Sequence, residues 1–129
     1  MQSSWIGGVV LLVIVVAYLM WTRRPVKGIQ NMSPGDLSEA LKNKSNPISI
    51  IDVREPFEFA GGHIAKARNI PLGQLAGKLK DVPKNSEIVF VCRSGNRSMQ
   101  AAKIAQKQGY ASVFNLVGGM SRWTGPVKK

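Results

Sequence analysis

The chain has 129 residues, a formal net charge of +11 and one cysteine. That length holds one globular domain, and a single cysteine excludes a disulfide-stapled scaffold, so stability must come from packing. The Lys and Arg residues all follow residue 22 and are scattered without interleaved aromatics, which argues against a nucleic-acid partner and leaves an anionic surface or ligand.

The first element in chain order carries no charge. Trp5 to Trp21 is an apolar run rich in Val, Ile and Leu, and the uncharged stretch extends from Ser3 to Thr22. As a helix that extension rises about 30 Å, the thickness of a bilayer's hydrocarbon core, and a backbone in lipid closes its own hydrogen bonds by becoming helical. Trp5 at one end and Tyr18 with Trp21 at the other suit the two interfaces. A cleaved signal peptide has basic residues before its apolar run and small residues after it. Here no Lys or Arg precedes the run, and Met20-Trp21-Thr22-Arg23-Arg24 ends it. The expectation is an anchor at 1–24 holding one transmembrane helix at about 4–22. Arg23, Arg24 and Lys27 suit anionic lipid headgroups, and the positive-inside rule puts the N-terminus outside and the remaining chain in the cytoplasm. A lone thiol fits that reducing compartment.

Residues 25–32 read as a linker, and 33–129 as the folded domain. Ser33 is an N-cap with Pro34 at the first helical position, and Leu37, Ala40 and Leu41 follow at helical spacing, which predicts a helix to about residue 43. Residues 48–53 and 86–91 are β-branched runs of the kind found in strands covered on both faces, and 113–117 is a third candidate strand. Residues 55–60 predict a short helix stopped by Gly61-Gly62, with Phe57 and Phe59 in the core, and 71–79 predicts another. Met99, Ala102, Ile104 and Ala105 give residues 98–108 an apolar helical face that ends at Gly109. A strand, a helix and a strand in succession imply a parallel crossover, hence an α/β domain with a parallel sheet between helices.

Ligands of such sheets bind at the carboxyl ends of strands, and Cys92 stands at one of them. A lone cysteine usually only packs. This one is followed by Arg93, Ser94, Gly95, Asn96, Arg97 and Ser98, which is polar throughout and unsuited to a core. Loop amides, the next helix's N-terminus and the cations Arg93 and Arg97 all favour the thiolate, so the thiol should ionise below its ordinary ~8.5. The same donors would hold a terminal sulfur anion or a bound oxyanion such as thiosulfate, with Gly95 letting the backbone wrap closely. Cysteine phosphatases and some arsenate reductases use a related device with five residues between Cys and Arg. Here Arg97 comes one residue too early and Ser98 stands at that position, a shorter loop that suits one sulfur atom better than a tetrahedral phosphate.

Three blocks together resemble the rhodanese homology domain across nearly all of the chain after the anchor. They are 52–59 with Gly62-His63-Ile64 and Asn69-Ile70-Pro71-Leu72, then 91–98, then Gly118-Gly119-Met120 with Trp123. The resemblance implies a single-domain rhodanese with a central parallel sheet between helices. It also implies that Cys92 accepts sulfur from a small anionic donor as a persulfide and passes it to cyanide or a thiol, which a protein acceptor could supply, while residues 93–98 hold the moving sulfur. No metal or organic cofactor is implied. A membrane-tethered persulfide carrier or interaction module with little turnover is the competing reading from the same residues. Asp52 and Arg54 are expected to form a structural pair, His63 to stay outside the catalytic set, and Trp123 to pack beneath or beside the active loop.

Overall fold

The computed structural model describes residues 3–22, 28–43 and 48–129, with side chains of the first segment from 5 to 20. The basic cluster at Arg23, Arg24 and Lys27 lies outside the described residues. In chain order the elements are α1 (Ser3–Thr22), β1 (Ile29–Met32), α2 (Pro34–Lys42), β2 (Ile48–Asp52), α3 (Pro56–Ala60), β3 (His63–Ile64), β4 (Arg68–Asn69), α4 (Leu72–Lys78), β5 (Glu87–Val91), α5 (Asn96–Lys107), β6 (Ser112–Leu116), α6 (Gly119–Arg122) and β7 (Val127–Lys128), with one 3-10 turn at Leu79–Asp81.

α1 is a helix as expected, and every described side chain on it, from Trp5 to Met20, is exposed. That it crosses a membrane is not shown by the structure. Among the described residues no helix is long and apolar enough to cross a membrane.

The remaining chain builds a parallel sheet in the order β1-β6-β5-β2-β4. β5 lies at its centre, paired with β2 on one side and β6 on the other, and four of its five residues are buried. A strand covered on both faces needs apolar residues at successive positions, and Ile88-Val89-Phe90-Val91 supplies them. Side chains alternate between the faces. Ile88, Phe90 and Cys92 point to the cluster under α4 and α5, with Leu75, Leu79, Ala101, Ala102 and Ala105. Val89 and Val91 point the other way, to Leu37, Ile50, Ile64 and Leu116.

Two expectations about boundaries and packing change. The linker expected at 25–32 is cut short, because Ile29–Met32 pairs in parallel with β6 and forms the sheet's edge strand. Ile-Gln-Asn-Met has too little apolar character to announce a strand, and its strand form rests on hydrogen bonds to residues more than eighty positions away. Phe57, expected in the core, is 77% exposed, while Phe59 is half-buried and stacks on His63 with ring centroids 3.7 Å apart. Residues two apart on a helix lie on nearly opposite sides, so a five-residue helix at the surface can bury only one of them.

α2 is capped as read, with the Ser33 hydroxyl accepting from the Asp36 amide at 3.0 Å. Asp52 and Arg54 form a buried pair, Nη2 to Oδ2 at 2.8 Å, and Arg54 also donates to the Gly62 carbonyl at 2.8 Å. This pair ties the end of β2 to the α3–β3 turn, beside the end of β5.

Candidate active site

β5 ends at Val91, and α5 begins at Asn96. The four residues between must reverse direction within a few ångströms, which requires Gly95 in the left-handed region at φ 107°. The turn curls the backbone around the Cys92 sulfur. The Gly95 amide donates to Sγ at 3.0 Å, the Ser98 hydroxyl lies 3.3 Å from Sγ, and the α5 N-terminus is aimed at the same point.

Cys92 is only 1% exposed. Burial by itself pushes the thiol up, but the Ser98 hydroxyl and the amides of Ser98, Gly95 and Ser94 together outweigh it and hold the thiol below its ordinary value. The outcome matches the expectation from sequence, whereas the main agents differ. Arg97 was expected to favour the thiolate. Its charge does act on the thiolate, but its guanidinium makes a two-pronged bond to Glu58, at 2.7 and 3.0 Å, so that charge is matched first by α3. Arg93 and Ser94 have exposed side chains, Ser94 contributes through its amide, and Asn96 is an exposed first residue of α5. The fork of Arg97 on Glu58 is also unlike a phosphatase clasp, which needs its guanidinium turned over the cysteine.

Glu58 escaped the sequence reading. It lies thirty-nine positions before Arg97, and only the folding of α3 against α5 joins them. The Arg97 hydrogen bonds outweigh partial burial and bring the Glu58 carboxyl from 4.5 to about 2. A carboxyl depressed by folding contributes its full share above its unfolded value and loses that share as the pH falls through the folded one. The pair should therefore stabilise the domain fully above pH 4.5, with the benefit fading as pH falls toward about 2. We expect Glu58→Gln to lower stability at pH 7 by about 1–2 kcal/mol and to flatten the acid limb of the stability curve, both read by denaturant titration.

Contacts from β6 and from the turn after it close the loop. Asn115 accepts from the Ser98 hydroxyl at 2.5 Å. The turn into α6 then brings the Met120 amide to the Cys92 carbonyl at 2.8 Å, and the Ser121 amide and hydroxyl to the Arg93 carbonyl at 3.0 and 2.8 Å. With both carbonyls held from behind, the loop amides stay turned toward the sulfur. Gly118 and Gly119 make this approach possible, both with positive φ. Adjacent glycines after a strand were the available signal for such a turn. Beside it is an open depression lined by Arg54, Glu58, Arg93, Met120 and Ser121.

Two other residues are placed by the structure. His63 hydrogen-bonds through Nδ1 to the Phe59 carbonyl at 2.9 Å and pairs with Lys128 across β3 and β7. Trp123 packs with Met120 against the α2-side cluster and donates to the Pro126 carbonyl at 3.2 Å. That is the sheet face opposite Cys92, not the surroundings of the active loop. Met120 and Trp123 are three residues apart across a single turn, so they share one face and go to the same side of the sheet. Among the described residues no cluster of His, Cys, Asp and Glu is arranged to hold a metal ion.

The family model for the rhodanese-like domain matches residues 33–126. The chain belongs to the rhodanese-like family. This rhodanese-like chain is 39% identical over 100 residues to the putative sulfurtransferase YtwF of Bacillus subtilis, a match covering 78% of this chain and 95% of that one. It is 32% identical over 122 residues to the uncharacterized protein YqhL of the same organism, covering 95% and 97%. The crystal structure of a rhodanese-like domain protein from Staphylococcus aureus superposes with a TM-score of 0.71 at 29% identity, covering 77% of this chain and 96% of that one. The α/β architecture read from sequence is thus the rhodanese-like fold, a central parallel sheet flanked by helices.

Proposed function

We propose that this rhodanese-like chain is a membrane-attached sulfurtransferase that moves a sulfane sulfur from a small anionic donor such as thiosulfate to a thiol through a persulfide on Cys92. The observation carrying this reading is the convergence of the Gly95 amide, the Ser98 hydroxyl and the α5 N-terminus on one buried sulfur. In the first step the Cys92 thiolate attacks the outer sulfur of thiosulfate. A new S–S bond forms, the donor's S–S bond breaks, and sulfite leaves with the bonding pair. The terminal sulfur of the persulfide then carries the negative charge, and the loop donors are available to hold it. In the second step an acceptor thiolate attacks that terminal sulfur and departs as its own persulfide, which regenerates the Cys92 thiolate. Both steps conserve charge and need no oxidant.

Arg93 and Arg54 border the depression beside the loop, a suitable entry for an anion. Attachment through α1 as a single-pass anchor, with the N-terminus outside and the domain in the cytoplasm, is supported by the exposed apolar surface of that helix and by the positive charge that follows it in sequence. The YqhL match, spanning 95% of this chain, also takes in most of α1.

The purified full chain in detergent should form thiocyanate from thiosulfate and cyanide, and thiosulfate alone should leave Cys92 one sulfur atom heavier by mass spectrometry. A chain that gains the sulfur and yields no thiocyanate would support the carrier reading instead. Failure to gain it would refute sulfur transfer at this cysteine. For the anchor, the expressed chain should resist alkaline carbonate extraction from membranes, and release into the supernatant would remove that part of the proposal.

A further inference from the structure

The Ser98 hydroxyl carries one proton and has two claimants. Its oxygen lies 3.3 Å from the Cys92 sulfur and 2.5 Å from Asn115 Oδ1, and all three residues are buried. In the thiol state both contacts are satisfied in sequence, with S–H donating to the hydroxyl and the hydroxyl donating to the amide oxygen. In the thiolate state the sulfur has no proton to give and needs one instead. The hydroxyl must then turn to the sulfur, which leaves two bare oxygens facing each other at 2.5 Å. A carboxamide can resolve that conflict, because a half-turn of its terminal bond exchanges the acceptor oxygen for a donor NH₂. Asn115 Nδ2 lies on the Gly95 side of the residue, next to the loop that wraps the sulfur.

We propose that Asn115 is a positioning residue for Cys92, whose amide turns from acceptor to donor as the cysteine ionises and thereby directs the single Ser98 proton to the sulfur. This rests on the reading of Cys92 as the attacking thiolate and extends it to a residue on a different strand. The described charged groups around the sulfur are Arg97 of α5 held by Glu58 of α3, the Asp52–Arg54 pair at the end of β2, and Arg93 of the loop. Two of these are matched pairs, so the hydroxyl and amide supply the adjustable donors. The same geometry serves the persulfide, whose terminal sulfur draws on the Cys92 environment while the inner sulfur, now neutral, releases the Ser98 proton back to Asn115.

The test is a pH titration of the nitrogen-labelled full chain in detergent, following the side-chain amide of Asn115, identified by its loss in Asn115→Leu. The midpoint of Cys92 alkylation by iodoacetamide is measured in parallel. The amide resonance should move with the alkylation midpoint, and the movement should collapse in Ser98→Ala. Asn115→Asp, an acceptor that cannot turn into a donor, should slow alkylation at neutral pH by about tenfold or more, and by clearly less in a Ser98→Ala background. An amide that does not move through the Cys92 titration, or moves equally without Ser98, overturns the proposal. The titration uses the unsubstituted chain and so decides even if the Asp variant does not fold. A coupled titration in a chain whose Cys92 gains no sulfur from thiosulfate refutes sulfur transfer and leaves this inference standing.

Discussion

Cys92→Ser should reduce thiocyanate formation to the uncatalysed background, a loss of at least about a thousandfold or roughly 4 kcal/mol of barrier, while the domain stays folded. Serine is nearly the same size at a position 1% exposed, and its oxygen can accept from the Gly95 amide and meet the Ser98 hydroxyl as the sulfur does. Stability should therefore change by less than about 1 kcal/mol. What serine lacks is chemistry. Its hydroxyl ionises far above the range that loop amides can reach, and an oxygen cannot carry a transferable sulfur in an S–S bond. The measurements are thiocyanate yield, intact mass after thiosulfate treatment and a thermal melt. Retained turnover with a normal melt would mean that sulfur moves without this cysteine, and the site would have to be sought elsewhere.

Gly119→Ala should be the most damaging single methyl in the active region. The backbone there has φ 54°, and a Cβ would stand 2.2 Å from the Cys92 carbonyl oxygen and 2.8 Å from the Arg93 carbonyl carbon and oxygen. These are backbone atoms of the active loop, so relief requires the loop or α6 to move, and either movement breaks the Met120–Cys92 and Ser121–Arg93 hydrogen bonds. Left-handed backbone at alanine costs about 1 kcal/mol before any clash is counted. The sum should be about 3 kcal/mol or more, or roughly 12 °C or more in the melting temperature of a domain this size. Any folded fraction should transfer sulfur poorly, because the loop amides no longer aim at one point. Gly118→Ala is the control. Its Cβ would meet side-chain atoms of Arg122 and no backbone of the active loop; the Arg122 Cδ and Cγ can turn away although its Cβ, at 3.1 Å, cannot, so the cost should fall below that of Gly119→Ala. Equal melting temperatures for the two variants would show that the close approach of α6 to the Cys92 peptide is not what Gly119 provides.

Much of the fold was legible wherever a residue's role depends on its near neighbours. The Ser33 cap with Pro34, the β-branched runs that became β2 and β5, and the apolar face of α5 are patterns with periods of two to four residues, and those periods are the geometry of the elements themselves. Short pieces were not legible. β3, β4 and β7 have two residues each, too few to show alternation, and they become strands only by pairing. β1 is a similar case, polar at its two middle positions and held by β6.

The feature that most defines this protein was determined by sequence alone. Cys92 ends an apolar run and opens a polar loop with Gly95 at the turn before a helix, so a thiol facing converging amides follows from local chain geometry. The tertiary structure decided which groups control that thiol. Arg97 reaches the sulfur through its charge alone while its guanidinium is engaged by Glu58, Ser98 shares its proton with Asn115, and the Cys92 and Arg93 carbonyls are held by α6. Each of these partners stands on a separate element brought to the end of β5 by parallel crossovers. A hydrogen bond needs its two atoms within about 3 Å, and for residues far apart in the chain only the closed fold brings them that near.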